Sequence, residues 1–155
     1  MRIRPIEDAD VPTVARLLHQ LARDFIVHES TPEGAATFLR ENDEEAIRRY
    51  ISLGHVYHVA ELDGEIAGFV SVRDCSHLFH MFVGVQWQGQ GLARRLWQVA
   101  RADAVARGGS GSFTVNASNF AMPAYEAMGF VRTAPMQCLK GLYFNPMKLK
   151  GAASL

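Results

Sequence analysis

Residues Met81 to Leu96 constrain this chain more tightly than any other segment. Met81-Phe82-Val83 closes a run of aromatic and β-branched residues, Gly84 to Gln88 makes a short turn, and Gly89-Gln90-Gly91 opens directly into Leu92-Ala93-Arg94-Arg95-Leu96. Leu92, Leu96, Val99 and Ala100 recur at helical spacing, so a strand must run through a tight glycine turn into the start of an amphipathic helix. Glycine reaches left-handed backbone conformations and covers nothing with a side chain. The first N–H groups of that helix are then left bare where its macrodipole favours negative charge, which makes the turn a cradle for phosphate.

Two phosphate-binding patterns fail on spacing. A dinucleotide fingerprint needs G-x-G-x-x-G and an acid about 20 residues on. Arg94 stands at the third glycine, and Gly108 to Gly111 offers no acid downstream. A P-loop needs Gly-Lys followed by Ser or Thr, a sequence this chain lacks. What remains is Gln88-x-x-Gly91-x-Ala93 after a strand ending at Val83.

A second segment, Val115 to Phe130, repeats the logic from strand to helix to strand. Ser118 or Asn119 can cap a helix, Pro123 falls in its first turn, Gly129 suits the left-handed position after it, and Phe130 begins the next strand. Together, in this order and about thirty residues apart, the two segments resemble the acyl-CoA signature and core of the GNAT superfamily of N-acetyltransferases. The resemblance is specific from Val56 to Phe130 and loose before it.

The resemblance implies a single α+β domain over residues 1–155, with a strongly twisted, mostly antiparallel mixed sheet, helices on both faces and a splay between the two central strands. It implies acetyl-CoA as co-substrate, its diphosphate on Gly89, Gln90, Gly91, Leu92 and Ala93. Met81, Phe82, Val83 and Gln88, with Ser118 and Asn119, would complete the cofactor contacts. Tyr125 would be the general acid toward the departing thiol, and the Val83 N–H the oxyanion donor. Relatives place Asn seven residues before the Tyr; Ser118 stands there and can keep a hydroxyl contact or merely cap the helix.

Several relatives carry a Glu six residues before the position of Val83, and here that residue is His77. With an ordinary pKa near 6.5, a neutral His accepts a proton at pH 7. Residues 77, 79, 81 and 83 share strand parity, which points His77 into the same cleft and His80 out of it. A structural histidine bonded to a neighbouring backbone group fits the same position. His77-x-x-His80 is not a metal pair, because i and i+3 on a strand face opposite sides, and no metal is expected.

Composition sets the outer bounds. A chain of 155 residues, 48% apolar and 21% charged, is one ordinary globular domain. Its formal net charge of zero gives no general attraction to nucleic acid or an anionic membrane. Arg94, Arg95, Arg101 and Arg107 fall on the predicted helix, as a solvated face or as a local field for a phosphate-rich cofactor. The sequence shows no basic, apolar leader and no apolar run near the roughly 18 residues that span a bilayer. Cys75 and Cys138 read as reduced, buried thiols, and the expected location is cytoplasmic.

Elsewhere the pattern predicts a strand at Arg2–Pro5, a helix with stripe Val14, Leu17, Leu18 and Leu21, and a short helix through Phe38 and Leu39. Asn42 with Glu45 resembles a capping box opening a helix from Ala46 to Leu53. Strands are expected at Val56–Leu62, Ile66–Arg73, Leu78–Val83, Ser112–Asn116, Val131–Pro135 and Gly141–Lys150, with an Asp63-Gly64 hairpin turn. In the superfamily, the segments matching Phe25–Tyr50 and Gln137–Asn145 shape the acceptor site. They mix aromatics (Phe25, Phe38, Tyr50, Tyr143, Phe144) with acids (Asp24, Glu29, Glu41, Asp43 to Glu45). A small-molecule or protein amine is the expected partner, and a homodimer would fit the superfamily. The alternative is a silent acyl-CoA-binding or regulatory module.

Overall fold

A computed structural model describes residues 1–151. After a short strand, β1 (Arg2–Pro5), helix α1 (Val11–Phe25) buries Val14, Leu18 and Leu21 of its expected stripe together with Val11, while Leu17 is half-buried. Helix α2 (Pro32–Arg40) starts where Thr31 Oγ1 accepts the Gly34 N–H at 3.0 Å and Pro32 occupies the first turn. Helix α3 (Glu44–Ser52) is capped by Asp43, which accepts the Ala46 N–H at 2.8 Å. The cap is therefore Asp43 rather than Asn42, and with Ala46 three residues on it is a simple cap instead of the expected capping box. The Asn42 side chain is committed elsewhere, its Nδ2 donating to the Phe38 carbonyl at 2.9 Å.

Strands β2 (Val56–Leu62) and β3 (Glu65–Arg73) form the expected hairpin, with Asp63 and Gly64 both at positive φ. Then follow β4 (His77–Val83), α4 (Leu92–Ala106), β5 (Phe113–Ala117) and α5 (Met122–Ala127). The chain closes with β6 (Val131–Arg132), β7 (Gln137–Leu139) and β8 (Leu142–Leu149). Strand β7 was not anticipated. Its residues are exposed and lack alternation, and it exists because Lys140 and Gly141, both at positive φ, fold it back on β8.

The sheet runs β1-β2-β3-β4-β5-β8-β6, with β7 hairpinned onto β8. Every pairing is antiparallel except β4 with β5. One face carries α1 and α3, packed through Val14, Leu18 and Ile47 onto Tyr57, Val59 and Phe69. The other carries α4 and α5, packed through Leu96, Trp97 and Tyr125 onto Val70, Phe113 and Val115. Each face thus has its own apolar core, and the sheet is covered on both sides.

The parallel pairing is brief. Strands β4 and β5 share two register pairs, His77 with Thr114 and Leu78 with Val115, and then part. Strand β4 stays bonded to β3 as far as Val83 opposite Gly68, and β5 stays bonded to β8 as far as Ala117 opposite Asn145. Each strand is held from its outer side while its inner edge is open. That gap positions the site.

Candidate active site

A cavity of about 450 Å³ fills the gap and passes through the sheet. Leu92, Ala93 and Tyr125 line it on the α4–α5 face, and Leu21, Phe25 and Phe38 line it on the other. Backbone direction decides what the gap offers. The Gly84 N–H bonds the Ala67 carbonyl across on β3 at 2.8 Å. Strand alternation then sends the Val83 N–H the opposite way, into the gap. Gln88 Nε2 donates to the Val83 carbonyl at 2.9 Å, so that acceptor is satisfied while the N–H stays available.

The glycine turn borders the same space. Gly89 and Gly91 sit at φ 75° and 81°, and an added Cβ at either would meet nothing within 4 Å. Conformation, not crowding, requires glycine there. Gly91 is the N-cap of α4 and supplies no side-chain cap, leaving the first-turn amides uncovered. Gly89, Gly91, Leu92 and Ala93 line the cavity; Gln90 turns back, its Nε2 donating to the Gln86 carbonyl at 3.2 Å. Arg94 and Arg107 are engaged locally, Arg94 on the Ala127 carbonyl at 3.1 Å and Arg107 on Asp103 at 2.6 Å.

Tyr125 lies on α5 with 6% exposure, its ring edge-on to Phe130 at 5.6 Å. Burial alone pushes its phenol above the ordinary range. Ser118 lines the cavity while its Oγ accepts the Ala121 N–H at 3.1 Å, so it serves as the local cap. Asn119 does not line the cavity. Its Oδ1 accepts from Asn145 Nδ2 at 2.8 Å and its Nδ2 donates to Glu29 at 2.7 Å, which uses both ends of the amide inside the protein.

His77 is placed away from the cavity, and the parity argument fails for a physical reason. Opposite Ser71 and Val72 the register of β4 slips, with His80 and Leu78 as successive partners, so Phe79 is an extra residue. Alternation resets there. Leu78, Met81 and Val83 pack toward α4, whereas His80 and Phe82 pack toward α1. His77 falls where β4 and β5 are still paired, its Nδ1 at 2.7 Å from Thr114 Oγ1. Burial, with Arg73 adding to it, pushes the His77 pKa down to about 4.

His80 does line the cavity, contrary to its expected orientation. It belongs to a buried chain of hydrogen bonds. Because Asn42 Nδ2 donates to Phe38, Asn42 Oδ1 is the acceptor for His80 Nε2–H at 2.8 Å. His80 Nδ1 then accepts the Tyr57 hydroxyl at 3.0 Å. Burial pushes the His80 pKa down to about 3. The chain ties α2 to β4 and β2 and sets the wall of the cavity at Phe38.

That end is aromatic. Phe25 stacks on Phe120 at 4.1 Å with 17° between rings, and Phe79, Tyr143 and Phe144 complete the wall. Phe25, Phe38, Tyr143 and Phe144 are the aromatics expected from the sequence; Phe79, brought in by the β-bulge, and Phe120, whose signal is hidden inside the helix-cap segment, join them. Tyr50 and the acids lie outside the lining. Tyr50 donates to the Glu41 carbonyl at 2.6 Å, Asp43 caps α3, and Glu29 holds Asn119.

Bare helix amides thus border a gap between splayed strands, and a buried phenol lines the same cavity. The chain belongs to the acetyltransferase (GNAT) domain family, whose pattern matches residues 26–151. No curated protein matches the sequence. Solved structures share the fold. A GCN5-related N-acetyltransferase from Rhodopseudomonas palustris is 24% identical with a TM-score of 0.79, covering 96% of this chain and 94% of its own. The PaiA N-acetyltransferase of Thermoplasma acidophilum, in complex with coenzyme A, is 15% identical with a TM-score of 0.76, covering 96% and 98%. YncA from Salmonella typhimurium, solved with its cofactor acetyl-CoA, is 20% identical with a TM-score of 0.72, covering 97% and 93%. Among the described residues no helix is long and apolar enough to cross a membrane.

Proposed function

We propose that this protein is an N-acetyltransferase that moves the acetyl group of acetyl-CoA to a primary amine by direct attack. The observation that carries the reading is the cavity through the β4–β5 gap, which joins the turn at Gly89, Gly91, Leu92 and Ala93 to Tyr125. Coenzyme A and acetyl-CoA in the two related structures motivate the choice of cofactor. The diphosphate sits on the α4 N-terminus and the thioester arm takes the place of the missing β-ladder between Val83 and Ala117.

The amine nitrogen attacks the thioester carbonyl. A C–N bond forms, the C–S bond breaks and CoA departs as thiolate, while the proton that the nitrogen sheds after attack reaches the sulfur through solvent. The Val83 N–H faces the developing oxyanion, a type of donor worth about 10²–10³ in rate. Tyr125 faces the sulfur. Its raised pKa makes it a weaker acid than a thiol near 8.5, so it stabilises the leaving thiolate by donating a hydrogen bond. An alkylammonium with pKa about 10.4 must lose a proton, at about 4–5 kcal/mol at pH 7. His77 has no part in this mechanism because it stands at the paired end of the strands, and the His80 acceptor nitrogen is filled by Tyr57. The neutral amine is therefore drawn from solution. Free Cys75 and Cys138, half-buried and exposed rather than buried as expected, suit a reducing cytoplasm.

The test is thiol release from acetyl-CoA over a panel of primary amines, run beside a calorimetric titration with CoA. CoA binding with amine-dependent release supports the reading. CoA binding without release across the panel favours a silent acyl-CoA module.

A further inference from the structure

We infer that the acceptor is an arylalkylamine, a single primary amine on a short linker carrying an aromatic body, rather than a polycation. The inference rests on the amine-transfer reading above and concerns the far end of the same cavity. Among the described residues that line it there is no Asp, Glu, Lys or Arg. A polyamine or aminosugar carries further ammonium groups besides the one that reacts. Inside this cavity each would be stripped of water with no carboxylate to pair it, at a cost of several kcal/mol. The nearby acids do not relieve that cost, because Glu29 and Asp43 are outside the lining and hold Asn119 and the Ala46 N–H.

What the cavity offers instead is ring surface from four separate parts of the fold. Phe25 of α1 and Phe120, in the segment before α5, stack into one wall. Phe38 of α2 is held opposite the sheet by the Asn42–His80–Tyr57 chain. Tyr143 and Phe144 of β8 close the end. An aromatic body gains from both burial and edge or stacked ring contacts in such a site. Its one amine, entering neutral, leaves no buried charge behind. The absence of a carboxylate base and the absence of a carboxylate anchor are then two aspects of one design.

The test titrates 2-phenylethylamine and spermidine separately into the CoA-saturated protein by calorimetry, and measures thiol release from acetyl-CoA with each. The expected result is at least tenfold tighter binding of 2-phenylethylamine, weakened about tenfold by Phe120→Ala with CoA binding unchanged. Phe120 is 51% exposed, so the variant folds. Spermidine binding as tightly, no 2-phenylethylamine binding, or binding indifferent to Phe120→Ala would each overturn the inference. Phe120-dependent binding of 2-phenylethylamine without thiol release would support the ligand class while overturning the transfer reading.

Discussion

Leu78 on β4 and Val115 on β5 are the last register partners of the parallel ladder, and past them each strand keeps a neighbour on its outer side alone. A sheet that gives up a ladder in its middle exposes backbone groups that ordinarily must be paired. Here those groups face a cavity bounded by a helix start, and the predictions below follow from that arrangement.

Gly91→Ala should weaken CoA binding by at least about tenfold, because the turn at φ 81° disfavours a side chain and shifting it moves the α4 amides. Gly64→Ala is the matched control. Gly64 has φ 80° and equally open surroundings in the β2–β3 turn, so it carries the same strain, about 1 kcal/mol, far from the cavity. Thermal unfolding should show similar losses for both, and calorimetry a CoA defect in Gly91→Ala alone. Equal CoA affinity in the two variants would remove the turn from cofactor binding.

Tyr125→Phe should leave stability and CoA affinity unchanged and lower turnover by about 10²-fold. Burial raises the phenol pKa, and among the described residues the Tyr125 hydroxyl has no hydrogen-bond partner to lose. Steady-state kinetics beside a CoA titration separates the two effects. Unaltered turnover would exclude the phenol from the reaction.

Asn42→Ala should destabilise the fold by about 1–3 kcal/mol, since it leaves the His80 Nε2–H and the Phe38 carbonyl without partners. It should also raise the acceptor KM more than it lowers kcat, because Phe38 loses its tether while the α4 turn and Tyr125 are untouched. Denaturant unfolding and acceptor kinetics check the two halves separately.

Stability should fall as pH drops below about 6.5. His55, His58, His77 and His80 are all held below the ordinary histidine range, with burial the largest cause in each. Their folded forms stay neutral while the unfolded chain takes up protons, so the unfolded state binds more protons and acidification favours it. The effect is absent above the unfolded pKa. It grows downward until the folded values, about 4 for His77 and about 3 for His80, are reached. Fully buried His80 alone gives a slope of up to about 1.4 kcal/mol per pH unit. Denaturant midpoints at pH 7.5, 6.0 and 5.0 should decline, and His80→Gln should flatten the decline. A profile level over that range would contradict the burial of these rings.

Much of the fold was legible because local and global preferences agree. The alternation of β2 and β3, the Asp63-Gly64 turn, the α1 stripe and the glycines flanking α4 and α5 each act over a few residues, where sequence speaks directly. The glycine turn into α4 was legible for the same reason, since Gly89 and Gly91 specify their own backbone. His77 shows the limit. A one-residue bulge at Phe79 depends on how β4 registers against β3, and nothing local marks it, yet it reverses which residues share a face. Asn42 is a second case. Its spacing suited a cap, but a buried histidine from another strand, 38 residues away, claimed its side chain. Asn119 was likewise claimed by Asn145 and Glu29, partners brought in by β8 and by the segment after α1.

A crystal structure of the CoA complex decides whether the β4–β5 gap holds the coenzyme. Diphosphate oxygens should accept hydrogen bonds from the amides of Gly89 to Ala93. The pantetheine arm should lie between Val83 and Ala117, with the sulfur facing the Tyr125 hydroxyl. A coenzyme bound elsewhere, or a thiol arm lying outside the gap while β4 and β5 keep their present separation, would contradict that placement.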